Sequence, residues 1–292
     1  MKLLKEVESE RFSCCNLVDK VFIDTIEKIL SKGSSDRDKE GVRPKWKDGK
    51  PAHTLYISQH VEEYNISEGE FPITSLRPIA WKSGIKEILW IYQDQSNDLD
   101  LLKDKYGITW WDDWDIGDRT IGARYGHTVA RYNLIDNLLE NLENNPMSRR
   151  HIINMWQEEE FKSEGLKPCA FMVELTVRGD YLDMSLTQRS NDYIVAGHIN
   201  KIQYVALLMM LAKHIGLEPG KFLHKVQNLH IYDRHVTHAS LLVNRQDDVE
   251  ECGKPELVLD TDKTNFYDFT IDDFTMNNYD PLGKIKGMEL AI

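Results

Sequence analysis

Apolar residues recur at helical spacing over residues 19–30, where Phe22, Ile23, Ile26, Ile29 and Leu30 share one face before Gly33-Ser34-Ser35 ends the run. A second such segment, residues 81–93 (WKSGIKEILWIYQ), carries Glu87 inside an otherwise apolar helix. A third spans residues 128–142 and stops at Asn144-Asn145-Pro146. The most apolar segment, residues 202–215 (IQYVALLMMLAKHI), has almost no polar face; it predicts a central buried helix, closed by Gly216 and Pro219. Strand-like runs fall at residues 53–57, 151–156 and 170–177, and Arg178-Gly179-Asp180 turns the last of these into YLDMSLTQRS. Beyond the helix over residues 202–215, strands are expected to dominate to the C-terminus. With no internal repeat, low-complexity tract or linker, the pattern predicts one α+β domain over residues 1–292.

Composition narrows the class. Apolar residues make up 41% of the 292 and charged residues 29%, and no apolar run approaches the ~20 residues of a membrane span, so a globular protein without a membrane segment is expected. The N-terminal stretch MKLLKEVESERF lacks the apolar core of a secretory signal, which predicts a cytoplasmic protein. Cys14, Cys15, Cys169 and Cys252 show no zinc-ribbon or CxxC spacing, and adjacent Cys14 and Cys15 are poorly placed to pair, in keeping with a reducing compartment. A net charge of −12 opposes general affinity for nucleic acid, whose non-specific binding is carried by clustered Lys and Arg. Any bound anion is then small and held locally.

Candidate chemistry centres on Cys169. It follows Pro168 at the start of a strand, and Gln188-Arg189-Ser190 ends the next, so a hairpin brings thiol and guanidinium to one edge of the sheet. A neighbouring cation lowers a thiol pKa and favours the attacking thiolate. A cysteine at a strand start otherwise reads as a small buried hydrophobe. Glu87, set among Ile85, Ile88 and Leu89, is expected to have a raised pKa suited to proton transfer. Residues 36–50 (DRDKEGVRPKWKDGK) form a polar, basic loop, mobile or ordered by a ligand, with Arg43 near its middle. His230 and Tyr232, two apart, face one side of a strand, a pattern that explains them better than zinc binding by His230, His235 and His238.

Together these segments resemble the thymidylate synthase family, whose motifs occur in family order over nearly the whole chain. Arg43 matches its phosphate-loop arginine, Glu87 its helix-borne carboxylate, Trp111 and Asp112 its WDxW, and Tyr125-Gly126 its YG. Arg149 and Arg150 match its twin arginines, Pro168-Cys169 its nucleophile, and residues 188–200 (QRSNDYIVAGHIN) its QRSxDxxLGxPFN. NLHIYDRH resembles its HxY motif and GMELAI its tail. The resemblance implies an α+β fold with a large mixed sheet packed with helices, and a sheet-to-sheet homodimer that binds dUMP and 5,10-methylenetetrahydrofolate, without a metal. Cys169 would add to C6 of the pyrimidine, with Glu87, Asn200, Arg189 and Tyr125 assisting. Arg43, Gln188, Arg189, Ser190, Asp192, Asn200, His230 and Tyr232 would hold the nucleotide, with Arg149 and Arg150 supplied across the dimer. Trp111, Asp192, Ala196, Ile199 and Ile292 would contact the folate. Asparagine at position 200, rather than aspartate, suits uracil.

The sequence departs from the family pattern around this pocket. PFN is His198-Ile199-Asn200, LG is Val195-Ala196, YGxQ is Tyr125-Gly126-His127-Thr128, and Ala170 follows the nucleophile. Loss of the Pro and Gln also marks the family's bacteriophage pyrimidine hydroxymethylases. A smaller, more polar pocket with His127 or His198 could admit water, so the expectation is a deoxyuridylate hydroxymethylase of viral origin. The alternatives are thymidylate synthesis, favoured by the GMELAI tail, and a catalytically silent nucleotide- or RNA-binding member.

Overall fold

The computed structural model describes residues 17–249 and 254–292, so Cys14, Cys15 and Cys252 lie outside the described residues. Among the described residues, seven α-helices and eight strands follow in chain order: α1 (Leu17–Lys32), β1 (Ser34–Ser35), β2 (Thr54–Asn65), α2 (Trp81–Ile88), α3 (Leu99–Tyr106), α4 (Gly126–Arg131), α5 (Leu134–Asn144), β3 (His151–Asn154), β4 (Ala170–Arg178), β5 (Tyr181–Asp192), α6 (Gly197–His214), β6 (Glu218–Tyr232), α7 (Val236–Asn244), β7 (Glu256–Leu259) and β8 (Phe274–Asn277). Six strands form one mixed sheet in the order β1-β2-β6-β5-β4-β3, antiparallel throughout except for the β5–β6 pair, which α6 connects. β7 and β8 form a separate antiparallel pair.

One face of the sheet carries Val173, Leu175, Leu182, Met184, Leu186 and Phe222 against α6, whose residues are buried without a break from Lys201 to Ala212. Burying each large aliphatic side chain there contributes about 1.5–3 kcal/mol. Lys201 can join this core because Glu62 meets its ammonium at 2.7 Å and the Tyr64 and Tyr193 hydroxyls donate to the same carboxylate at 2.8 and 2.6 Å. Burial pushes Glu62 upward, but Lys201 and His60 outweigh it and hold the carboxyl well below the usual range.

Strand pairing is interrupted at one level across four strands. Phe171 is skipped between Ala170↔Gln188 and Met172↔Thr187, Arg189 and Gln227 are skipped between Gln188↔Val226 and Ser190↔Asn228, and Gln59, at φ 56°, is skipped on β2. Beyond this break Leu229 and Ile231 pack with Tyr193 against α1 and α7 as a second cluster. Such irregularities re-aim side chains at the end of a sheet, and the cysteine and its neighbours lie there.

Three expectations about elements are corrected. The segment over 128–142 is two helices, split where Asn133 takes φ 50° after Tyr132. Strands do not dominate the C-terminal third: β6 is followed by α7 and by mostly irregular chain. The loop over 36–50 is held by its own chain, since Trp46 is buried against Tyr232, and Lys45 and Ile292 exchange backbone hydrogen bonds of 2.6 and 2.9 Å.

Candidate active site

Cys169 immediately precedes β4, and Arg189 on β5 closes over it: the Arg189 N–H donates to the Cys169 carbonyl at 2.9 Å, while its guanidinium donates to the carbonyls of Pro168 (3.0 Å) and Lys167 (2.7 Å). The hairpin therefore places thiol and guanidinium together, but the electrostatic outcome differs from the sequence expectation. Burial pushes the thiol up, and the opposing pull of Arg189 and then Arg43 does not overcome it. The Cys169 N–H donates to the Tyr125 hydroxyl at 3.1 Å. Tyr125 takes φ 49° because the chain makes a forced approach here, where a Cβ on the next residue, Gly126, would lie 2.1 Å from the Ser96 carbonyl oxygen. Strain of this kind persists only where surrounding contacts over-determine it.

A cavity of about 470 Å³ opens beyond Tyr125, whose ring meets that of Trp111 at 5.4 Å; it is walled by Trp110, Trp111, Trp114, Val195, Ala196, Ile199, Met288 and Leu290, with Arg77, Glu87, Asn200, Gln203 and Lys284 as polar groups. Glu87 is buried on α2, and desolvation pushes its carboxyl to about 7 against the opposing hydrogen bonds to it. Trp110 Nε1 donates to Glu87 Oε2 at 2.5 Å. Asn200, in the first turn of α6, accepts at Oδ1 from Asn191 Nδ2 (2.9 Å) and Gln188 Nε2 (3.3 Å), and donates from Nδ2 to Gln203 Oε1 (2.9 Å). Gln203 in turn interacts with the Glu87 carboxyl. Trp110, Asn191 and Gln203 were not singled out by sequence reasoning. Gln203 had a signal, since it lies one helical turn beyond Asn200.

At the end of β5, Asp192 is pushed to about 7 by burial, against the pull of the Val195 N–H and Arg77. His230 and Tyr232 lie buried together at the end of β6, their ring centroids 4.9 Å apart, and burial lowers His230 to about 4. Ser190 is half-buried beside them, with Asn228 as its strand partner. Arg43 is exposed on the loop that Ile292 closes, and its charge reaches both Cys169 and Tyr232. Among the described residues, no three His, Cys, Asp or Glu side chains converge as a metal site would require, and no helix is long and apolar enough to cross a membrane.

Arg149 and Arg150 are not brought to this site. His151, next along the chain, pairs with Leu175, five residues up β4 from Ala170, which is roughly 17 Å of strand. Both arginines are exposed, and neither guanidinium has a hydrogen-bond or ion-pair partner among the described residues.

Neither His127 nor His198, expected to make the pocket more polar, lines the cavity. His198 is fully buried beneath α1, edge-on to Phe22 at 4.4 Å, with Nδ1 3.0 Å from the Pro72 carbonyl oxygen. The Thr128 hydroxyl is spent on Glu160 at 2.6 Å, and His127 faces the same Glu160 at 3.8 Å. Of the departures from the family pattern, only Val195, Ala196 and Ile199 line the cavity, and all three are apolar.

Comparison with known proteins agrees with this geometry. The family model described as Thymidylate synthase matches residues 20–292. The chain is 50% identical over 283 residues to a thymidylate synthase of Streptococcus sanguinis, and 51% identical over 281 residues to one of Streptococcus agalactiae; each alignment covers 94% of this chain and 99% of the relative. Among solved structures, the thermostable thymidylate synthase A from Bacillus subtilis superposes with a TM-score of 0.87 at 35% identity, covering 95% of this chain and all of that one. The motifs, the site they build and these relatives agree, and the chain belongs to the thymidylate synthase family.

Proposed function

We propose that the protein is a thymidylate synthase, a transferase that reductively methylates dUMP to dTMP with 5,10-methylenetetrahydrofolate as carbon and hydride donor. The observation that carries this reading is the largely apolar lining of the cavity. His198 and Thr128 are turned into the protein interior, His127 faces Glu160 and does not line the cavity, and the walls are aromatic and aliphatic apart from Arg77, Glu87, Asn200, Gln203 and Lys284. Excluding water protects a reactive exocyclic methylene until hydride arrives. The relatives named above are bacterial and are named synthases, which favours reduction over hydroxymethylation and gives no support to a viral source.

In this reading the Cys169 thiolate adds to C6 of the pyrimidine, with Arg189 and Arg43 offsetting the cost of forming the thiolate in a buried place. Asn200 and Glu87 stabilise the charge that develops at O4, and Glu87, poised at about 7, moves protons near neutral pH. Arg43, Arg189, Ser190, Gln188, His230 and Tyr232 hold the nucleotide. Trp111, Ala196 and Ile199, which line the cavity, would contact the pterin ring, together with Asp192 and the C-terminal Ile292. Bound folate supplies the one-carbon unit and the hydride.

Arg149 and Arg150 cannot reach their own Cys169, so they serve a second copy of the chain. The sheet face opposite α6, where Val61 is 51% exposed, is the surface on which that copy would dock. Incubation of the protein with dUMP and methylenetetrahydrofolate should yield dihydrofolate and thymidylate in equal amounts. A hydroxymethylated product without dihydrofolate would overturn the assignment.

A further inference from the structure

The hydrogen-bond chain behind Asn200 continues inward past Gln188. His224, on the inner face of β6 and only 1% exposed, sets Nε2 against Gln188 Oε1. An amide oxygen only accepts, so this imidazole nitrogen carries the proton. Every later orientation is then forced. With its oxygen occupied by His224 and by Asn191 Nδ2 at 3.3 Å, Gln188 turns its N–H to Asn200 Oδ1, and Asn200 turns its own N–H side outward to Gln203 and the cavity. The opposite imidazole tautomer would reverse each amide and leave Asn200 presenting oxygen where it now presents N–H.

We propose that His224 is a positioning residue for pyrimidine selection: its Nε2–H, relayed through Gln188, fixes the Asn200 amide with its donor toward the cavity and so favours a base bearing a carbonyl at C4 over one bearing an amino group. The proposal rests on reading the cavity as a uridylate site. Burial lowers His224 to about 3, with Lys201 and His60 adding to the fall and Glu62 opposing it, so the ring stays neutral and donates through a single tautomer across the working range. Polarised chains of this kind strengthen cooperatively in a low-dielectric interior.

Nucleotide affinities measured by calorimetry on the full chain, with dUMP and dCMP, test this. His224→Phe keeps a flat ring and removes the donor, and should narrow the preference for dUMP over dCMP by about fivefold to tenfold, the worth of one neutral hydrogen bond. His224→Gln, which restores an N–H, should recover most of the preference. Equal losses for both nucleotides, with the ratio unchanged, would mean that His224 only supports the fold and would overturn the proposal. Nitrogen-15 spectra of the unmutated protein need no variant: Nε2 protonated and Nδ1 bare between pH 6 and 8 supports the relay, and the reverse tautomer overturns it. Failure of the unmutated protein to bind either nucleotide would instead remove the uridylate reading itself, and the proposal with it.

Discussion

Glu87 provides a direct test of what the site costs the fold. Its carboxyl is buried and pushed to about 7, against an ordinary value of 4.5. A raised carboxyl pKa means that the folded state holds its proton more tightly than the unfolded chain does. The stabilising contribution is full below about 4.5 and is lost as pH rises through about 7. The difference of roughly 2.5 units, at 1.36 kcal/mol each, amounts to about 3 kcal/mol. Glu87→Gln removes the titration while keeping the shape and an oxygen to accept from Trp110. It should therefore be more stable than the unmutated protein at pH 8 by about 3 kcal/mol more than at pH 4.5.

Urea unfolding of both proteins across that range, at one fixed concentration because the protein is proposed to be a dimer, reads the difference directly. A gap that widens with pH and flattens above about 7 bears out the desolvation argument. A gap independent of pH would refute it, because Glu87 would then be solvated or neutralised by a partner that the structure does not place beside it. The same variant should lose most of its turnover, since an amide cannot move the proton.

Cys169→Ser should abolish turnover and leave dUMP binding measurable by calorimetry, because a hydroxyl cannot add to C6 without a dedicated base; residual turnover near the original rate would remove Cys169 as nucleophile. Arg43→Met takes away one of the two cations that oppose the raised thiol pKa, so alkylation of Cys169 by iodoacetamide at pH 8 should slow severalfold, and an unchanged rate would mean that the loop charge does not reach the thiol. Arg234 bridges Asp48 on the basic loop and Glu289 on the tail, each at 2.7 Å. Arg234→Met should therefore speed hydrogen exchange at the Lys45 and Ile292 amides, and undiminished protection would show that the backbone pairing holds the tail by itself.

Much of the site was legible because its chemistry is local. Pro168-Cys169 and Gln188-Arg189 lie at the ends of a single hairpin, and the two-residue turn at Gly179-Asp180 with φ 62° at the glycine fixes their register. Glu87 was legible because a carboxylate interrupts a helical apolar stripe. What could not be read were outcomes decided by distant partners. His198 occupies a position where sequence alone suggests a wet pocket, yet Phe22 and the Pro72 carbonyl, both more than a hundred residues away, draw it into the core. The direction of the Cys169 shift likewise depends on how much burial opposes two nearby cations, a balance that spacing does not encode.

The break in strand pairing is the more instructive case, because it leaves a trace in the sequence that is visible only once its meaning is known. On β5 the buried positions run 182, 184, 186 and 188 and then jump to 191; on β6 they run 220, 222, 224 and 226 and then, past exposed Gln227 and half-buried Asn228, continue unbroken from 229 to 232. An unbroken strand alternates with a period of two, so Gln188 and Asn191 would point to opposite faces. The interruption at Arg189 returns both to the inner face, where each donates to Asn200 Oδ1. Without it one of these two amides would face away from α6 and the Asn200 carbonyl would lose a donor. The irregularity is thus what allows one short motif, QRSN, to send its arginine toward Cys169 and its two flanking amides toward the residue proposed to read the base.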